Sequence, residues 1–259
     1  MAAKIIAYIT DAHLGQKIIV EEEVGGRSKN MRYDNEAEEN KDNLKLILDD
    51  VTSKGITDII FGGDIGTKEA NKWFFDTIYK FDFKLSMVLG NHDTYSEVIK
   101  YYRAGHSYPK ELNYSREDDD FKYIYLDSSS NAVSPVQFDW LKQELNCTKK
   151  IILFIHHPIL EIRTPLDQFG AALKGREKIK DLLLALQKEI VIFCGHYHMT
   201  DELTEGNIRQ YSSPACSYQI RKLSENIEID SSTFGYRLIQ FDGNQIYTDV
   251  KLFQKLNLL

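Results

Sequence analysis

The chain of 259 residues is 42% hydrophobic and 27% charged, a globular composition long enough for one large domain or two small ones. Its formal net charge of −7 argues against a surface devoted to long nucleic acid, which presents clustered lysine and arginine. No apolar run approaches the ~20 residues of a membrane span, and the opening "KIIAYIT" lacks a signal peptide's long apolar stretch and cleavage site.

In chain order, "IIAYIT" at 5–10 predicts a strand. Residues 16–34 show no apolar period and read as an inserted loop over the site, part of it the solvated charge run "VEEEVGGRSKN". A helix is expected from about Asp34, on the spacing of Leu44, Ile47, Leu48 and Val51, an acidic start at Asp34 and Glu36, and Gly55 beyond its end. "DIIF" at 58–61, a helix around Trp73 and Phe74, and "KLSMVL" at 84–89 continue a βαβ alternation that implies a largely parallel sheet. At "SPVQ", Ser134 caps a further helix, Pro135 suits its first turn and Gln137 completes a capping box. After "IILFI" at 151–155, a helix over about 176–188 and "IVIFC" at 190–194, the pattern turns β-rich: "IRQYSS", "YRLIQF", a hairpin at "DGN" and "QIYTDVKLF". These elements predict one α/β domain over 1–259, with two sheets packed between helices. Cys147, Cys194 and Cys216 lack metal-type spacing and fit a reducing, cytoplasmic setting.

Five predicted strands end in ligand-type residues: Asp11 and His13; Asp64; Asn91, His92 and Asp93; His156 and His157; His196 and His198. Singly, each has an ordinary reading, Asp11 as a helix cap or His156 as a core histidine. Together they converge, because the carboxyl ends of parallel strands share one edge where ligands bind. Six of the seven histidines lie in these clusters, with only His106 outside. Gly63, Gly90 and Gly195 let the chain turn sharply beside a buried site. Mixed nitrogen and oxygen donors favour Mn, Fe or Zn over Mg or Ca, and seven candidate ligands are too many for one ion. Two ions sharing a carboxylate suit phosphoester hydrolysis, and Asp64 is the natural bridge.

The motifs D-x-H, G-D, G-N-H-D, H-x-P and G-H-x-H, here Asp11 with His13, Gly63-Asp64, Gly90 to Asp93, His156 to Pro158 and Gly195 to His198, resemble the calcineurin-like metallophosphoesterases in full order. The resemblance implies an α/β/β/α two-sheet sandwich. One metal would take Asp11, His13, Asp64 and His198, the other Asp64, Asn91, His156 and His196, with Tyr197 directed away between them. A hydroxide bridging the ions would attack phosphorus, His92 would protonate the leaving oxygen, and Asp93 would orient His92.

Within the family, "YLDSSSNAVSPVQFDWLKQEL", "SSPACSYQI" and "FGYRLIQF" resemble the bacterial class III cyclic nucleotide phosphodiesterases, which implies a small cyclic nucleotide as substrate. Tyr218, Arg221 and Tyr236 then become candidate phosphate or base contacts. Ile159 in "HHPI", few glycines in the LDS loop and the segment 16–34 depart from that subfamily. The runner-up is a phosphomonoesterase or nucleotide pyrophosphatase, ahead of a nuclease or a non-catalytic scaffold. The expected partner is a small phosphoester, in the first place a nucleotide, with neither membrane nor long nucleic acid; the oligomeric state stays open, a homodimer included.

Overall fold

In the computed structural model, which describes residues 4–22, 28–37, 39–104 and 110–255, the β-branched and aromatic runs of the sequence pair into strands and the 3.6-residue patterns coil against them. The first half of the chain forms β1 (Lys4–Ile9), β2 (Gly15–Glu22), β3 (Ser28–Ala37), α1 (Glu39–Ser53), β4 (Asp58–Phe61), α2 (Ala70–Lys80), β5 (Lys84–Met87), α3 (Tyr95–Val98), β6 (Tyr114–Glu117) and β7 (Phe121–Leu126). The second half forms α4 (Pro135–Leu145), β8 (Lys150–Ile155), α5 (Pro165–Gln168), α6 (Arg176–Leu184), β9 (Ile190–Cys194), β10 (Asp201–Glu205), β11 (Ile208–Ser212), β12 (Gln219–Ile220), β13 (Ile229–Asp230), β14 (Thr233–Asp242) and β15 (Gln245–Gln254).

One sheet has five strands in the order β15-β14-β1-β4-β5, with β1, β4 and β5 parallel and the β14–β15 hairpin antiparallel beside them. The other has six, β10-β11-β9-β8-β7-β6, in which β7, β8, β9 and β11 run parallel. Aromatic rings lock the two together: Tyr8 of β1 stacks on Phe154 of β8 at 5.9 Å, and Phe121 meets Phe241 edge-on at 5.2 Å. Each such pair adds about 0.5–1.5 kcal/mol beyond the area it buries. Helices cover the outer faces. Leu44, Ile47, Leu48 and Val51 of α1 and Phe74, Phe75 and Ile78 of α2 pack into the core of the first sheet, while Trp140, Leu141 and Leu145 of α4 and Ile179 and Leu183 of α6 pack on the second. The architecture is the α/β/β/α sandwich. No helix among the described residues is long and apolar enough to cross a membrane.

Three local expectations change. Within the predicted loop 16–34 the described residues are strands: β2 and β3 pair antiparallel into a two-stranded ribbon, with Ile18 opposite Tyr33, while 23–27 lie outside the described residues. Ile18, Val20 and Tyr33 pack on Ile162, Leu166, Tyr197, Met199 and Tyr218, a cluster separate from the main core. Asp34 and Glu36 therefore belong to a strand, and the helix begins at Glu39. At α4, Ser134 Oγ accepts from the Gln137 N–H at 3.1 Å as a cap should, but Gln137 does not return the bond. Its side-chain amide grips the backbone of Asp127, accepting at 2.6 Å and donating at 2.8 Å. The last helix of the βαβ pattern, α6, stops at Leu184, a turn short of the predicted end. His106 lies outside the described residues.

Candidate metal centre

The loops that follow β1 and β4 are zipped together by the backbone. Asp11 N–H donates to Gly63 O at 2.9 Å, and the N–H groups of Ala12 and His13 both donate to Asp64 O. The path demands left-handed turns. Among the described residues eight non-glycine residues have positive φ, and five of them are the ligand candidates Asp11, His13, Asp64, His196 and His198. Each such residue costs about 1–3 kcal/mol and persists only where its surroundings over-determine it, so strain collects where ligands must be aimed. A Cβ on Gly90 would stand 2.1 Å from Asp64 Oδ1, and one on Gly195 would stand 2.4 Å from Asp11 Oδ2. Glycine at these positions is what lets the strand ends touch.

Donor atoms from both sheets meet at the centre. Asp11 Oδ1 is 3.2 Å from His198 Nε2 and 3.8 Å from His156 Nε2. Asp64 Oδ2 is 3.2 Å from His156 Nε2 and 3.6 Å from His13 Nε2, and the Nε2 atoms of His13 and His198 face each other at 3.1 Å. Among the described residues three groups bring their donor atoms within 4.8 Å: Asp11, His13 and His198; His13, Asp64 and His92; and Asp64, His156 and His196.

Two observations test whether this set fits metal ions. Asn91 Oδ1 is buried with no hydrogen-bond partner, a cost that a cation would remove, and His156 Nε2 is buried with only the Asp64 and Asp11 carboxylates beside it. The histidine rings are also oriented from behind by groups that only accept: His156 Nδ1 donates to Gly62 O at 2.7 Å, His198 Nδ1 to Tyr218 O at 3.0 Å, and His196 Nε2 to Ala171 O at 2.9 Å. In a neutral ring each such bond leaves the other nitrogen's lone pair free for a metal, the outer support that metal-ligating histidines usually have. The donor set fits.

Without metal, the buried carboxylates and imidazoles of the centre set each other's charge. Burial alone would raise the Asp64 carboxyl, but His156, His92 and His13 together hold it well below the ordinary range. Burial likewise opposes charge on His156, yet the Asp64 and Asp11 carboxylates outweigh it and push the imidazole up to about 10. His13, lowered to about 3, and His196, lowered to about 4, are kept neutral chiefly by burial.

The residues named around this core fare differently. His92, half-buried, lies edge-on to His13 at 4.9 Å, and its backbone N–H donates to Asp64 Oδ1 at 2.8 Å. Asp93 does not bond to the His92 ring. Its carboxylate accepts from the N–H groups of Asp64 (2.7 Å), Ile65 (2.9 Å) and Gly90 (2.9 Å), so it pins two site loops together. Tyr218 borders the centre, its ring 4.3 Å from that of His198. Arg221 does not: it is exposed and paired with Glu228 at 3.2 Å. Tyr236 is fully buried, and its hydroxyl donates to Asp50 of α1 at 2.6 Å, which removes it from any substrate surface. Tyr197 turns away from the centre and donates to Asp167 at 2.5 Å. His157, packed 4.1 Å from the His196 ring, is held by Ser128 and Asn131.

Sequence reasoning missed Gln16 and Tyr33. Both come from the ribbon, and Tyr33 stacks on His13 (4.9 Å, 10°) and meets His92 edge-on (4.5 Å). The one signal available was the two-residue spacing of Gln16, Ile18 and Val20.

Strand ends of two packed sheets carrying buried carboxylates and imidazoles define the metal-dependent phosphoesterase class of α/β/β/α protein. The profile of the calcineurin-like phosphoesterases matches residues 5–200, and the chain belongs to that family. It is 31% identical over 175 residues to a probable glycerophosphodiester phosphodiesterase, GpdQ, of Arcobacter nitrofigilis; the match covers 62% of this chain and 64% of that relative's length. Among solved structures it resembles a dimetal phosphatase from Danio rerio (TM-score 0.62, 12% identity, 95% of this chain and 98% of that one). It also resembles GAP50, the anchor in the inner membrane complex of Plasmodium (TM-score 0.61, 16% identity, 98% and 89%). At these identities the structural likeness speaks for the fold alone.

Proposed function

We propose that the chain acts as one domain and hydrolyses small phosphodiesters with two divalent transition ions, Mn, Fe or Zn, as cofactors. The observation that carries the reading is the set of converging buried donors, one of which, Asn91 Oδ1, has no hydrogen-bond partner. Asp11, His13, Asp64 and His198 would hold one ion, and Asp64, Asn91, His156 and His196 the other. When bound, such ions supply charge to the phosphoryl oxygens and activate water near neutral pH. The chain's own part is to orient and to move protons. Asp11 and Asp64 cancel only half of the charge of two divalent cations, which leaves the centre attractive to an anionic phosphate. His92, next to Asn91 and close to the His13 and Asp64 donors, would donate its ring hydrogen to the leaving oxygen.

Two substrates are in view. The "LDSS", "SSPACSYQI" and "FGYR" segments support a 3',5'- or 2',3'-cyclic nucleotide, and the similarity to a probable glycerophosphodiester phosphodiesterase supports a glycerol diester. Tyr33 and Gln16 crowd the His92 side of the centre, which favours a compact leaving group in either case. The test is kcat/KM for cyclic nucleotides, glycerophosphodiesters, bis-p-nitrophenyl phosphate and p-nitrophenyl phosphate, each after reconstitution with Mn, Fe or Zn. Diesters are expected to be cleaved faster than the monoester. Monoesters cleaved far faster than every diester would overturn the reading in favour of a phosphomonoesterase.

A further inference from the structure

The Gln16 side chain, buried at the start of the β2–β3 ribbon, touches two histidines of different roles: its Oε1 lies 2.9 Å from His13 Nδ1 and its Nε2 lies 3.4 Å from His92 Nδ1. Its backbone is preset for this. Asn40 Nδ2 of α1 donates to both His13 O (2.9 Å) and Gln16 O (3.2 Å), and Gln16 N–H donates to His13 O at 3.0 Å. The rings it touches are also confined, since Tyr33 stacks on one and abuts the other while its hydroxyl bonds that of Tyr218 at 2.8 Å.

The proton count then has one solution. His13 turns Nε2 toward Asp11, Asp64 and His198, so a neutral, ligating His13 carries its hydrogen on Nδ1 and needs an acceptor there. The carboxamide oxygen of Gln16 is that acceptor, which turns the NH2 group, a donor only, toward His92. His92 Nδ1 must therefore accept. A neutral imidazole has a single N–H, so its proton sits on Nε2.

We infer that Gln16 is a positioning residue that fixes the His92 hydrogen on Nε2, so that the neutral ring, its Nδ1 held by the Gln16 amide N–H, meets the leaving oxygen as a hydrogen-bond donor. The inference rests on the proposed role of His92 and adds to it a residue from the ribbon, outside all five strand-end motifs.

The experiment uses the zinc-loaded protein with 15N-labelled histidine rings. Long-range 1H–15N correlation at a pH where the rings are neutral reads each tautomer, and His92→Ala identifies the His92 signals. Wild type is expected to hold the His92 proton on Nε2. Gln16→Glu, which can only accept, is expected to move it to Nδ1. Gln16→Met, of similar length but unable to donate, is expected to leave a mixture of both forms. Turnover of alkyl diesters by Gln16→Met should fall by about 10- to 100-fold, the usual cost of losing such outer support, with KM and the turnover of bis-p-nitrophenyl phosphate little changed. A wild-type proton on Nδ1, the same tautomer in all three proteins, or an equal loss on both substrates would overturn the inference. Zinc lost from Gln16→Met with no change of tautomer would assign the residue to His13 alone, and would overturn it too. If wild type cleaves no diester at all, the proposed function fails while the tautomer measurement still decides the role of Gln16.

Discussion

The five-stranded sheet brings charge to the metal centre, whereas the six-stranded sheet brings only imidazoles. From the ends of β1, β4 and β5 come Asp11, His13, Asp64, Asn91 and His92; from β8 and β9 come His156, His196 and His198. Their supports differ in kind. Asp93 holds the first set of loops with a buried carboxylate that serves three backbone N–H groups. Burial, and then the neighbouring Asp64 charge, push that carboxyl up to about 7. Gln210 holds the loop after β8 with a neutral amide, accepting from Ile159 and Leu160 N–H at 2.8 Å each and donating to Leu160 O at 3.1 Å. A carboxylate buried beside Asp64 is costly and survives because three donors converge on it. The neutral clamp carries no such cost. The comparison teaches that the charged half of the site is the more strained and the more dependent on single residues.

The largest effect that would probe this contrast is the loss of Asp64, which belongs to two of the three donor groups. Asp64→Ala is expected to bind neither ion and to lose activity, whereas Asn91→Ala should mainly weaken one ion. Elemental analysis that finds Asp64→Ala still loaded would break the idea that the charged sheet bridges both ions. Next comes His92→Ala, expected to keep its metals while kcat falls by roughly 10²–10⁴ for alkyl leaving groups and far less for p-nitrophenolate. An equal loss on both would make His92 a spacer.

The supports themselves can be compared directly in denaturant. Asp93→Ala strands three buried N–H groups and should destabilise the fold by about 3 kcal/mol or more, against about 2 kcal/mol for Gln210→Ala, which strands two N–H groups and a carbonyl. A larger cost at Gln210 would reverse the ranking of the two halves. The smallest effects lie outside the centre. Tyr236→Phe should cost about 1 kcal/mol of stability through its lost bond to Asp50, and Arg221→Ala should stay within about 0.5 kcal/mol of wild type. Neither should alter KM; a raised KM in Arg221→Ala would return that residue to the substrate surface.

What was legible in the chain follows the range of the interactions. Asp11, His13, Asp64, Asn91 and the histidines of "HHP" and "GHYH" could be read because each sits within four positions of the end of an apolar run, and parallel strands bring such ends to one edge without further information. The ribbon was hidden because its charged residues mask a two-residue period that shows only once Ile18, Val20 and Tyr33 find Tyr218 and Leu166. Side-chain partners were less legible still. Gln137 fits a capping box by spacing, yet its amide goes to Asp127; Tyr236 fits a pocket by motif, yet meets Asp50, 186 positions earlier in the chain.

The sequence by itself determined the sandwich and the donor set, since alternation, glycine placement and ligand types are local properties that hydrophobic period and backbone geometry translate directly into strand ends. Only the tertiary structure decided that Asp93 braces loops, that Arg221 and Tyr236 stand apart from the centre, and that Gln16 lies between His13 and His92. Each of those outcomes depends on which buried donor finds which acceptor. That pairing is set by contacts between elements far apart in the chain, and no spacing along it records them.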